Sequence, residues 1–148
     1  MATVQRSILD AVVGRLRESP ALIARPTERI RVAHRTPVTR EESPAIHVVP
    51  ISDDEVGRGT GDCARRRVAF VVRIYGRDDG GVDSIDPILA AVVARIDPAA
   101  TSSFAYPAGA IVSPPGRITF SEEDADLDVA FAEIAFTASY AVAEWSLE

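Results

Sequence analysis

Residues 67–96 read RVAFVVRIYG, RDDGGVDSID and PILAAVVARI. In the first ten, Val68, Phe70, Val72 and Ile74 fall on one face and Ala69, Val71, Arg73 and Tyr75 on the other. This is the period-two pattern of a strand with one apolar and one mixed face. A Gly-rich turn follows, then Asp86-Pro87, residue types suited to an N-cap and a first helical position. From there Ile88, Leu89, Val92, Val93 and Ile96 form a helical apolar stripe, and Asp97-Pro98 ends it. This strand–turn–helix unit is the frame on which the remaining segments pack.

Upstream, Ile8, Leu9, Val12, Val13 and Leu16 recur at helical spacing. Thr3 or Gln5 opens that helix, and Arg6, Asp10, Arg15 and Arg17 take its outer side. The two arginines near its C-terminal end suit the helix dipole. Residues 29–34 alternate as a short strand, with Ile30 and Val32 inward. A polar loop, TPVTREESP, leads to a second strand over 45–51, ended or edged by Pro50, which has no N–H for a ladder. Residues 52–66, SDDEVGRGTGDCARR, are rich in glycine and charge with nothing to bury, and read as a long loop.

Downstream, residues 99–108 read as a loop, and 109–113 and 117–121 as short strands around Pro114-Pro115-Gly116. Residues 122–128 hold five acids and read as solvated. The chain closes on a strand over 129–142, with Ala130, Ala132, Ile134, Phe136, Ala138 and Tyr140 on one face. At ~3.4 Å per residue it would reach ~48 Å, well past the usual ~20 Å. The expectation is a bulge, a bend, or an extension beyond its own sheet. The segment order predicts an α+β fold, a mainly antiparallel sheet with two helices packed on one face. The other sheet face, small and polar, is expected to be solvated or laid against another protein.

The 148 residues fit one domain, 1–148, large enough for a hydrophobic core. No apolar run reaches the ~18 residues of a membrane span, and the first ten residues lack a signal-peptide pattern. The single cysteine, Cys63, excludes an internal disulfide framework. The net charge of −6 argues against nonspecific binding to phosphate backbones. All 16 basic residues are arginine, which points to a GC-rich source.

Chemistry-bearing motifs are weak. His34 and His47, with Asp53, Asp54 and Cys63, match no metal-ligand spacing. The 124–128 acids begin like a calcium loop, but Val129 and Ala135 stand where it needs Gly and Glu. Gly57-Arg58-Gly59-Thr60-Gly61 does not join a strand to a helix, the context a phosphate cradle needs. No nucleophile elbow occurs, and no base stands near Cys63 in sequence. The expectation is a protein that is not an enzyme and has no cofactor.

The pattern as a whole resembles the tail terminator family of long-tailed phages and gene transfer agents, including minor tail proteins of the lambda U type. The resemblance lies in the N-terminal helix (Ile8 to Leu16), the proline-bearing segment Ser43-Pro44-Ala45-Ile46-His47-Val48, and the strong strand ending in Ile74-Tyr75. It continues through the acidic Gly turn, the helix from Pro87 to Ile96, and a long last strand carrying Phe131, Phe136 and Tyr140. It implies a six-membered ring on the last ring of the tail tube, which stops tube growth and presents a surface to head-completion proteins. DNA would pass through the hole without specific binding. The virion, at the head-proximal end of the tail, is the implied location, with the host cytoplasm during assembly.

Several features suit such a role. Six copies at −6 each bring −36, a field in which DNA slides without sticking. Candidate interface residues are Asp53, Asp54, Arg58, Arg65 and Arg66 in the 52–66 segment, Arg73 and Tyr75 on the central strand, Asp78 and Asp79 in the turn, and Glu133 on the last strand. Glu133 and Arg73 can pair within a subunit or across two. The alternatives are another head–tail connector or tail-completion protein, a small ligand-binding or enzymatic α+β domain, and a regulatory binding module. A ligand domain would gather polar groups at one concave spot. A ring subunit would show apolar or small-residue surface at two opposite edges.

Overall fold

The computed structural model describes residues 3–19, 22, 30–32, 45–58, 61, 63–75, 81–97, 105–123 and 129–143. They form an α+β fold whose sheet has six strands: β1 (Ile30–Val32), β2 (Ala45–Arg58), β3 (Cys63–Tyr75), β4 (Ile111–Val112), β5 (Ile118–Glu123) and β6 (Val129–Ala143). The order is β1-β2-β3-β6-β4, with β5 also on β6. Among the described residues, only β1 and β2 run parallel, and the other pairs are antiparallel.

Helix α1 (Val4–Arg17) opens as its sequence predicts, with the Thr3 hydroxyl accepting from the Arg6 N–H at 3.2 Å. Helix α2 spans Gly81–Ile96. It therefore begins before the Asp86-Pro87 start read from the sequence. Pro87 therefore lies inside the helix: its φ is helical, but it withholds one N–H from the Asp83 carbonyl and its ring crowds that carbonyl, a cost that the packing of α2 on the core must offset. The two helices pack on one sheet face and share one core with Ile46, Val48, Val68, Phe70, Val72, Ile74, Ala132, Ile134, Phe136 and Ala138. At its centre Phe70 and Phe136 stack at 5.6 Å.

The C-terminal ends of α1 and α2 meet, and each lends the other an arginine. Arg15 donates from Nε to the Arg95 carbonyl at 2.9 Å and from Nη2 to the Asp97 carbonyl at 3.0 Å. Arg95 Nε returns a bond to the Arg15 carbonyl at 2.9 Å. The Tyr106 hydroxyl donates to the Ile96 carbonyl at 2.7 Å, and the Arg15 guanidinium lies over its ring. Helix ends leave carbonyls without internal partners, and here cations and a phenol satisfy them. Arg15, expected on the outer side, is 2% exposed for this reason.

Two further expectations are corrected, and a third is narrowed. Residues 52–66 are not a long loop: β2 and β3 pair from Ala45↔Tyr75 out to Arg58↔Ala64, making a long hairpin arm. The 109–113 strand is a 3-10 turn (Pro107–Gly109) followed by the two-residue β4. Strand β6 pairs with β3 in unbroken register from Phe131 to Ala143, so it does not leave its sheet. The bulges lie in β2 instead, at Ile51 and Val56, where the register shifts. Pro50 sits at the first of these, beyond the Val48 limit of β1 pairing, an edge position that needs no N–H.

Candidate functional site

The candidate residues separate onto the two faces of the sheet. On the helix side, at the root of the arm, the bulge at Ile51 turns Asp53 toward the face that carries Val68, Arg66 and Tyr140. Arg66 Nε donates to Asp53 Oδ1 at 2.9 Å and Arg66 Nη2 to the Asp53 carbonyl at 3.1 Å. The Tyr140 hydroxyl donates to the other carboxylate oxygen, Oδ2. The hydrogen bond to Asp53 raises the Arg66 guanidinium above its ordinary pKa. Burial, then the bond to Asp53, pushes the Tyr140 phenol up to about 12. The network ties the two strands of the arm to their neighbour β6: β2 through Asp53, β3 through Arg66 and β6 through Tyr140.

On the opposite face one polar row crosses five strands: Arg31, His47, Arg73, Glu133 and Thr119. Arg73 Nε donates to Glu133 Oε1 at 2.6 Å, Nη2 reaches the same oxygen, and Nη1 donates to the Tyr75 hydroxyl at 3.3 Å. Burial pulls the Arg73 pKa down, but the bonds to Tyr75 and Glu133 more than offset it, leaving it raised. His47 is buried edge-on to Tyr75 and accepts from Arg31 Nε at 3.4 Å on Nε2. The Arg73–Glu133 pair is thus made within one chain. Ala45, His47, Val49 and Tyr75 are buried on this face, so it is not wholly the small, polar surface the sequence suggests.

The arm itself carries Asp54, Arg58 and Arg65 exposed, with Glu55 and Arg67 beside them. Asp78 and Asp79 lie outside the described residues. His34 does too, whereas His47, Asp53 and Cys63 sit apart on opposite faces and at the arm tip. Among the described residues, no three His, Cys, Asp or Glu side chains gather as metal ligands would. No described helix is long and apolar enough to cross a membrane.

The residues that sequence reasoning missed are apolar and lie at the sheet edges. Among the described residues, five large apolar side chains stand in solvent: Ile51 (48% exposed), Val56 (48%), Ile111 (70%), Ile118 (38%) and Phe120 (48%). Ile51 and Val56 belong to β2, at one edge; Ile111, Ile118 and Phe120 belong to β4 and β5, at the other. Both edges are open among the described residues: β1 covers β2 only as far as Val48, and β4 and β5 each pair on one side, with β6. Next to the β4 edge lies a groove of about 360 Å³, lined chiefly by Val93, Ile96, Val112, Pro114, Pro115 and Phe136, with Asp97 and Ser113 its polar members. The signal in the sequence was Ile118 and Phe120 alternating with polar residues ahead of an acidic run, a pattern shared by any half-buried strand.

No protein-family model matches this chain, and no curated protein matches it.

Proposed function

We propose that the chain is a non-enzymatic assembly subunit, a tail terminator that forms a ring on the tail tube, stops its growth and presents the joining surface to head-completion proteins. One observation carries the reading. Large exposed side chains lie at two opposite open edges of a single sheet, the distribution expected of a subunit with a neighbour on each side. Monomeric proteins normally manage such edges with charge, cover or closure, and clustered exposed apolar groups mark contact surfaces. The groove is compatible with this reading: its described lining is mostly aliphatic, aromatic or proline, with Asp97 and Ser113 its polar members. The acidic balance suits a pore that DNA traverses without sticking.

On this reading the partners are further copies of the chain, the tail tube protein and a head-completion protein, and the location is the head-proximal end of the virion tail. The resemblance in segment order motivates the choice of family, and the open edges support the mode of action. Other head–tail connectors share these properties, and one experiment separates them. The gene is deleted from the phage or prophage that carries it, and particles are imaged by negative stain. Long tails of variable length without heads are the expected result. Normal-length tails without heads would make the chain a connector, and intact infectious particles would remove it from virion assembly.

A further inference from the structure

The two open edges differ in how well they can take another strand. Strand β2 is bulged at Ile51 and Val56, where its register with β3 shifts, and beyond Val48 it exposes Asp54, Glu55 and Arg58. Bulges and edge charges discourage strand pairing. Strand β5 is flat by comparison: its ladder with β6 runs unbroken from Ile118↔Ile134 to Glu123↔Val129, and it holds no proline. The direction of its main-chain groups follows from that ladder. The Arg117 carbonyl accepts from the Ala135 N–H at 2.9 Å and so points into the sheet. These groups alternate in direction along a strand. Those of Thr119, Ser121 and Glu123 therefore turn to β6, and those of Ile118, Phe120 and Glu122 face out of the edge. The helix side of this edge is also open. Helix α1 lies over β1 and β2, and α2 over β3 and β6. Ile118 and Phe120 share that side with their core partners Ile134 and Ala132, yet both are exposed.

Residues 117–123 read RITFSEE, and this segment complements itself when reversed. Two copies laid antiparallel about a two-fold axis at Phe120 bring all the outward groups together as hydrogen-bonded pairs, Phe120 with Phe120 and Ile118 with Glu122. Between these, Thr119 falls opposite Ser121, and exposed Arg117 falls opposite position 123, a glutamate. That match of opposite charge occurs twice. Moving the axis to Thr119 or to Ser121 takes Arg117 away from position 123. We infer that two copies of this chain pair through β5, antiparallel and about a two-fold axis at Phe120, joining their sheets into one with the helices of both on the same side. The contact is isologous, the same surface serving both partners. Directly opposed residues of antiparallel strands share a face, so Ile118 and Phe120 of the two copies cover one another in the strip between the two α2 helices. The contact goes beyond the assembly reading and does not depend on it. It occupies an edge that a ring neighbour would use, so on that reading the pair is the free form of the subunit and parts before a ring closes.

The test uses the whole chain and sedimentation velocity over a range of concentrations. Wild type is expected to form a two-chain species and nothing larger. Arg117→Glu sets two acids opposite each other at both ends of the contact, and Glu123→Arg sets two arginines there, so each should weaken the pair by about tenfold. An equimolar mixture of these two variants is the decisive sample. One strand then carries only acids at the two positions and the other only arginines, so the mixture should pair as tightly as wild type. Val56→Asp, on the opposite edge, should leave the pair unchanged. Circular dichroism and the melting midpoint check that each variant folds, and the recovery in the mixture shows the same from the variants themselves. A wild type that stays monomeric, open-ended oligomers in place of a pair, or a mixture no tighter than either variant alone would each overturn the inference. Its failure is distinguishable from failure of the assembly reading. A monomeric wild type with overlong tails on gene deletion would remove this contact and leave termination standing, whereas a pair with normal tails would do the reverse.

Discussion

Arg15 shows how far a single side chain can depart from its sequence environment. On a helical wheel it belongs with the polar residues of α1, and its charge near the C-terminus suits the dipole. Its guanidinium instead donates to the Arg95 and Asp97 carbonyls, where the ends of both helices converge. Two helix C-termini bring negative partial charge to one place; the buried Arg15 guanidinium answers the α2 end with several fixed donors, and Arg95 answers the α1 end. Arg15→Ala is expected to destabilise the fold by about 3 kcal/mol, since each charge-assisted bond is worth about 1.5–3 kcal/mol and buried carbonyls are left unpaired. Arg15→Lys should recover little, because an ammonium cannot span both carbonyls in the same geometry. Denaturant midpoints of the two variants against wild type check this.

At the scale of elements, β3 and β6 decide the architecture. They pair over thirteen positions without a slip, from Cys63↔Ala143 to Tyr75↔Phe131. Their inward faces meet at Phe70 and Phe136, and the helices close over that pair. Phe136→Ala is expected to cost about 3–5 kcal/mol through the cavity left behind, read as a fall in the denaturation midpoint; a midpoint equal to wild type would take Phe136 out of the core. The period-two pattern of both strands was legible in the sequence, as was the helical stripe of α1. The arm was not. Two bulges in β2 interrupt its alternation, and its inward positions include Asp53 and Arg66, which neutralise each other only after the strands pair. A charged, Gly-rich segment looks like a loop until its partner across the sheet is known.

For the whole molecule, two buried tyrosines link stability to pH. Burial is the first cause in each, and it pushes Tyr106 and Tyr140 from 10.0 up to about 12. The folded chain keeps both phenolic protons to about pH 12, whereas the unfolded chain releases them near pH 10. Between those values the unfolded state binds fewer protons than the folded state, so stability falls as pH rises. Denaturant unfolding at pH 9 and at pH 11.5 should show the loss. Tyr140→Phe should make the fall shallower, because only Tyr106 then contributes. The two phenols lie in separate parts of the fold, one at the helix ends and one at the root of the arm. Alkali therefore weakens the fold at both the helix ends and the root of the arm.

What the sequence by itself determined is the class of the fold: the alternating strands, the two apolar helices, and the mainly antiparallel sheet they imply. These follow from side-chain periodicity, which acts within a segment and needs no distant partner. Of the candidate interface residues, the sequence could say only that they were charged or aromatic and near turns. The tertiary structure decided which are taken up inside the chain, as Arg73, Tyr75 and Glu133 are, and which stand on the arm, as Asp54, Arg58 and Arg65 do. It also decided that Ile51, Val56, Ile111, Ile118 and Phe120 face solvent at opposite edges. Edges are a property of strand order, and strand order comes from contacts between segments far apart in the chain, which no local pattern encodes.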